Sequence, residues 1–173
     1  MAGLTFAQVA AVVVAVAGCV TDLRDRRIPN VLTFGAAAGA FGYYLARDGW
    51  SGLAWSAGGW VTGLALFLPL FILRGLGGGD VKLLAALGAW LLPASTIWLA
   101  LFAAAAGGPL AIGVALGSGY MKKALRNVWG LLTFWRVEGL KPHPTLNLDT
   151  AGAPRLPYSL PIAAGLVLTL WLR

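Results

Sequence analysis

Between residues 81 and 118 the chain runs for 38 positions with Lys82 as its one charged side chain, and this stretch limits what the polypeptide can fold into. A membrane-spanning helix uses ~20 mostly apolar residues to cross the ~30 Å hydrocarbon core. The run is therefore too long for one crossing. Near its middle, Leu92-Pro93-Ala94-Ser95 reads as a turn, because Pro breaks a helix and Ser can cap the next one. Splitting there gives a long helix and a short one of about 12 to 16 residues, for which re-entry rather than full crossing stays open. Further apolar segments at about 4–20, 31–46, 53–73 and 158–172 bring the number of spans to six.

Charge placement tests that count. Cytoplasmic loops of membrane proteins collect Lys and Arg. With six spans and the N-terminus outside, eleven of the 13 Lys and Arg residues fall inside, and only Arg47 and Arg173 fall outside. If 81–118 crossed once, the split would be 6 inside to 7 outside. The expected fold class is thus all-α: a polytopic membrane helix bundle of about six transmembrane helices with its N-terminus outside. It forms a single membrane-embedded domain over 1–173, with a cytoplasmic loop at about 119–157.

Composition agrees with this class. Charged residues make up 11% of the chain and hydrophobic ones 59%, whereas a soluble domain carries about 25% charged residues. The net charge of +7 would suggest nucleic acid for a soluble protein, but no nucleic-acid-reading motif is visible and basic inside loops account for it. No nucleic-acid partner is expected; the lipid bilayer is. In the loop, the segment from Tyr120 to Arg136 mixes basic and aromatic residues, as a helix on the membrane surface would, and Pro142, Pro144 and Pro154 imply irregular chain after it. Cys19 is the single cysteine, which leaves no intrachain disulfide and no cysteine metal site. Val16-Ala17-Gly18-Cys19 looks like a lipidation box, but no basic stretch precedes Thr5 and the remaining chain is apolar. Cys19 reads better as a small lipid- or helix-facing residue.

Only six acids are present, and two lie at helix ends predicted on one side of the membrane. Asp22 opens the run Asp22-Leu23-Arg24-Asp25-Arg26-Arg27-Ile28-Pro29-Asn30, where the first apolar segment stops. Asp80 closes Gly77-Gly78-Gly79-Asp80, just before the next one. Ionisable groups at membrane depth are unfavourable unless they face a bundle interior or a water-filled cavity, so both are functional candidates. The glycines before Asp80 can take positive φ and admit another backbone, such as that of an extended peptide. A flexible loop with Asp80 as an N-terminal helix cap explains the same residues equally well.

The arrangement of these blocks resembles the type IV prepilin peptidases. The 22–30 run is similar to their first signature: an Asp, five residues, an aliphatic residue, Pro, then Asn or Asp. Gly75-Leu76-Gly77-Gly78-Gly79-Asp80-Val81-Lys82-Leu83-Leu84 and the residues to Gly88 resemble their Gly-x-Gly-Asp block. Leu156-Pro157-Tyr158-Ser159-Leu160-Pro161, with Gly165, is similar to their Pro-rich start of the last helix. The resemblance implies a membrane aspartic endopeptidase that removes the short basic leader from prepilins or pseudopilins at the cytoplasmic face of the inner membrane. The substrate's own helix would stay in the bilayer. By position, Asp22 and Asp80 match the catalytic pair, and Gly77, Gly79, Lys82, Pro29 and Asn30 match motif residues. No metal or organic cofactor is implied. Two close carboxylates share one proton: the ionised one activates water, and the protonated one stabilises the oxyanion and assists the leaving amine.

The chain departs from the larger family members, which carry two Cys-x-x-Cys pairs and also methylate the new N-terminus. With Cys19 alone, methyltransferase activity is unsupported. The compact form resembles the peptidases of tight-adherence (Flp) pilus systems or the archaeal preflagellin peptidases, and Ile28-Pro29-Asn30 favours the former. Asp25, among three arginines, reads as a solvated ion pair; Asp48 is expected on the wrong face; Glu138, Asp149 and His143 read as loop residues. Trp129, Phe134 and Trp135 read as interfacial anchors. A small proton- or cation-coupled transporter is the reading from a different class, but it wants midplane carboxylates. The pilin cleaved, the leader-recognition residues and the oligomeric state are not legible.

Overall fold

The computed structural model describes residues 4–143, 145–146 and 157–172. It is all-helical, with no strand among the described residues. The elements are α1 (Phe6–Asp25), α2 (Asn30–Ile72), α3 (Gly78–Gly117), α4 (Met121–Glu138) and α5 (Ser159–Leu172). Three of them, α1, α2 and α3, are each long and apolar enough to cross a membrane.

The two longest helices are not straight rods. Each holds one residue outside the helical region: Gly49 (φ 65°, ψ −150°) in α2 and Leu92 (φ 66°, ψ 167°) in α3. The residue before a proline is pushed out of the right-handed helical region, and Leu92 precedes Pro93. Side-chain contacts show that the chain reverses at both points. Asn30 and Tyr44 bond to Lys82 and Trp90 in that order, so 30–48 runs alongside 78–91 in the same direction. Ser56, Gly59 and Gly63 meet Ala89, Gly88 and Ala85, so 50–72 runs against it. The Thr96 hydroxyl returns to the Gly88 carbonyl at 3.4 Å, although eight residues of straight helix would separate them by about 12 Å. What the sequence reading distributes over four apolar segments is thus two helical hairpins, each continuous apart from one turn residue.

The remaining contacts close the bundle. Gly165 of α5 packs on Leu99 and Ala103, and Tyr158 on Gly107, so α5 runs against 93–117. Ser159 touches Asp22 and Cys19, while Thr169 and Leu170 share a cavity with Thr5 and Gln8, so α5 also runs against α1. One end of the bundle therefore gathers the close of α1 and the starts of α2, α3 and α5. At the opposite end lie Thr5, Tyr44, Trp90 and Thr169. The closest crossing is Gly59 against Gly88, where a Cβ on either residue would run into the other's carbonyl.

The break at Leu92 frees the last carbonyls of 78–91, which have no intrahelical partner. Hydroxyls from neighbouring helices take them up. Ser56 Oγ donates to the Ala89 carbonyl at 2.7 Å and Tyr44 Oη to the Trp90 carbonyl at 2.8 Å. Helix α4 stands apart from this core. It has no buried residue, and its basic residues Lys122, Lys123 and Arg126 flank an exposed apolar stripe of Leu125, Val128, Trp129 and Leu132. A helix is therefore present where one is expected. Phe134 and Trp135 are engaged with the chain that follows: Phe134 packs against the His143 ring with centroids 4.6 Å apart, and Trp135 Nε1 donates to the Lys141 carbonyl. His143 Nδ1 in turn accepts from the Leu146 backbone N–H at 3.0 Å, a loop role. Pro144, Asp149, Pro154, Arg155, Leu156 and Arg173 lie outside the described residues.

Ser56 is fully buried and its hydroxyl serves a carbonyl with no alternative helical donor. Ser56→Ala is expected to destabilise the protein by about 1–3 kcal/mol, the penalty of an unpaired buried acceptor. A melting temperature equal to that of the wild type would show that the Ala89 carbonyl has another partner.

Candidate functional site

Both candidate aspartates sit inside helices rather than beside them, which corrects the expected boundaries. The first apolar segment ends near Val20, yet α1 continues to Asp25 and holds Asp22 in its last turn. Helical hydrogen bonding does not stop where lipid-facing residues do. It stops at Arg26, which caps α1 in the left-handed region (φ 51°) with its N–H on the Asp22 carbonyl at 2.9 Å. Ile28 cannot resume the helix because Pro29 follows it, and Pro29 becomes the N-cap of α2. On the other side, α3 begins at Gly78, so Asp80 lies in its first turn. Asp80 is not the N-cap; Gly77 is. The Asp80 carboxylate folds back over Gly77, and the Asp80 backbone N–H donates to the Gly77 carbonyl at 3.1 Å.

The glycines act through space rather than through unusual φ. Gly77 is extended (φ −75°, ψ 145°), and the left-handed residue of this turn is Arg74 (φ 58°). A Cβ on Gly77 would stand 3.0 Å from Asp80 Oδ2, and one on Gly79 would stand 3.3 Å from the Ile28 Cβ. Absence of side chains thus lets the Asp80 carboxylate fold back and lets the buried Ile28 pack on the start of α3.

Ile28 is one of two links between the 22–30 and 75–88 blocks. The other is Lys82, whose Nζ donates to Asn30 Oδ1 at 2.9 Å and lies 5.7 Å from the centre of the Phe34 ring. This gives Lys82 a physical task that the sequence leaves blank: it ties the start of α2 to the first turn of α3. With those links in place, Asp22 and Asp80 are partly buried and close enough for their charges to interact.

The start of α5 completes the site. Ser159 Oγ donates to Asp22 Oδ2 at 2.6 Å, within the range of a charge-assisted bond. The Ser159 carbonyl accepts from Cys19 Sγ at 3.2 Å, so Cys19 faces a helix as expected. Tyr158, whose phenol lies within electrostatic reach of Asp80, packs its ring edge-on against Phe67 at 5.8 Å. Sequence reasoning marked this segment as a block but assigned neither residue a place in the site. The signal was a pair of hydroxyl side chains opening an apolar helix at the end predicted to hold both acids.

The other acids are elsewhere. Asp25 is exposed and pairs with none of its neighbouring arginines among the described residues. Asp48 lies beside the Gly49 turn, at the end opposite Asp80, and pairs with Arg47 at 3.3 Å. Glu138 is exposed at the end of α4. Pro29 and Asn30 are exposed at the rim of the site. Two interacting carboxylates, one of them held by a hydroxyl, form an arrangement able to hold one proton and pass it to and from a reacting group.

A sequence profile described as the type IV leader peptidase family matches residues 9–112. The match takes in the 22–30 and 75–88 blocks and ends before the start of α5. No individual curated protein and no solved structure matches the chain.

The contact between Ile28 and Gly79 is open to direct test. Gly79→Val is expected to overpack it and to lower stability by about 1–3 kcal/mol. Ile28→Ala in the same chain makes room and is expected to recover part of the loss. Additive effects in the double variant would mean that the two blocks do not touch there.

Proposed function

Because the chain belongs to the type IV leader peptidase family, we propose that it is an aspartic endopeptidase that removes the basic leader from prepilins or pseudopilins. Asp22 and Asp80 are its catalytic pair. The observation that carries this reading is their convergence: residues 58 positions apart, each fixed by its own helix end, interact at one end of the bundle.

The chemistry follows from the pair. One carboxylate, ionised, takes a proton from a water molecule as that water's oxygen attacks the scissile carbonyl carbon. The other, protonated, donates to the carbonyl oxygen as negative charge develops there. Collapse of the tetrahedral intermediate breaks the C–N bond, and the proton gained from water passes to the leaving amine. Lys82, Asn30, Gly77 and Gly79 hold the two blocks in register. Pro29 sets the start of α2. No cofactor enters these steps.

The distribution of basic residues supports a reading of the membrane face. We read the two hairpins, α1 and α5 as six crossings of one membrane-embedded domain, with the N-terminus outside. Eleven of the 13 basic residues then fall on the side of the aspartates. That bias is the cytoplasmic signature of the inner membrane. Helix α4, basic and unpartnered, lies on the same surface, where anionic lipid faces it. The substrate enters with its own helix in the bilayer and its leader in the cytoplasm. The absence of paired cysteines leaves cleavage without methylation. A transporter is disfavoured because the acids lie at helix ends rather than at the middle of the bundle.

The test is leader removal in membranes from a co-expressed prepilin. Wild type and Asp25→Asn are expected to cut. Asp22→Asn and Asp80→Asn are each expected to lose at least about a hundredfold in rate, the lower range for a lost acid or base. Cleavage at the wild-type rate by either of the last two would sink the aspartic mechanism.

A further inference from the structure

Most serine and threonine hydroxyls in this bundle serve backbone carbonyls, and Ser159 differs from them in its acceptor. Thr21, Thr62, Ser118, Thr133 and Thr169 all bond back to a carbonyl three or four residues earlier in their own helix. Ser159 instead gives its one hydroxyl proton to the carboxylate of Asp22, a residue 137 positions away, at 2.6 Å.

The position of that hydroxyl is fixed on every side. Ser159 is fully buried, and its own carbonyl is taken by Cys19 Sγ from α1. Immediately before it, the Tyr158 ring is held against Phe67 and Gly107. Six residues on, Gly165 seats α5 against the backbone of Leu99 and Ala103, so the helix cannot slide along the bundle. Ser159 therefore brings a donor of set direction to a carboxylate whose own side chain could otherwise rotate.

We infer that Ser159 is a positioning residue for the peptidase reaction: from the start of α5 it holds Oδ2 of Asp22 and so fixes the plane of that carboxylate. Oδ1 is left to exchange a proton with water and substrate. This rests on the aspartic-dyad reading and adds to it. The dyad needs the 22–30 and 75–88 blocks, but its working geometry also needs a segment outside the part of the chain that the family profile matches. Ser159 touches neither substrate nor water in this scheme; it acts through Asp22. Misplacement of a reacting group by about 1 Å lowers rates by about a hundredfold, which sets the scale of the effect.

The experiment uses the full chain, purified in lipid nanodiscs, with a prepilin that the wild-type protein cleaves. Steady-state kinetics and melting temperatures are measured for wild type, Ser159→Ala, Thr169→Ala and Asp22→Asn. Thr169 is the control: it is buried in the same helix, but its hydroxyl bonds to Gly165 within that helix. Ser159→Ala is expected to lower kcat about tenfold to a hundredfold while KM stays within about twofold. Thr169→Ala is expected to keep the wild-type kcat whatever its melting temperature. Asp22→Asn is expected to be inactive. Wild-type kcat in Ser159→Ala, with Asp22→Asn inactive, would overturn the inference and leave the dyad standing. Loss of kcat in both Ser159→Ala and Thr169→Ala, in step with their melting temperatures, would reduce Ser159 to a packing residue. Activity in Asp22→Asn would remove the dyad and the inference together.

Discussion

A polar group placed among apolar helices must find its partner within the protein, since lipid offers none. That constraint shapes both the hairpins and the site. Where α3 breaks at Leu92, freed carbonyls are met by Ser56 and Tyr44 of α2 and by Thr96 across the turn. Where Asp22 closes α1, its carboxylate is met by Ser159. Where α3 opens beside Asp80, Lys82 donates from its ammonium to the Asn30 side chain of α2. Each of these bonds joins elements or turns, so the polar contacts are also what sets the helices in register. Apolar packing alone would not do so: an all-leucine interface is as content against lipid as against another helix.

This explains which parts of the molecule were legible in the sequence. Apolar runs and their breaks depend on neighbouring residues, so Leu92-Pro93 and the Asp48-Gly49 region could be read as turns. The amphipathic α4 follows from local periodicity in the same way. Asp22 and Asp80 stood out because acids are scarce in this chain and both lie at helix ends. Helix ends themselves were misjudged. Hydropathy reports where lipid contact stops, whereas α1 stops at a left-handed Arg26 and α3 starts at a glycine, five and three residues beyond the apolar limits.

Partners across the bundle were not legible at all. Nothing local to Lys82 points to Asn30, and nothing local to Ser159 points to Asp22, because those pairs exist only after two and five reversals of the chain respectively. The glycines before Asp80 were read for positive φ, which Arg74 supplies instead. What Gly79 contributes is the room that Ile28 fills, and this depends on a loop about fifty residues earlier.

Helix length gives the site its setting. Residues 78–91 and α5 each have 14 residues. At 1.5 Å per residue that is about 21 Å, against a hydrocarbon core of ~30 Å. Both share their far end with Thr5 and Tyr44, so the shortfall falls at the near end, and the residues there are Asp80 and Ser159. Asp22 meets them from within α1, three residues before that helix closes. Both carboxylates are partly buried there, beside the near ends of the two short helices. The proposed hydrolysis needs water at these carboxylates, and helices short of the full ~30 Å, by thinning the bilayer around them, bring it closer to their ends.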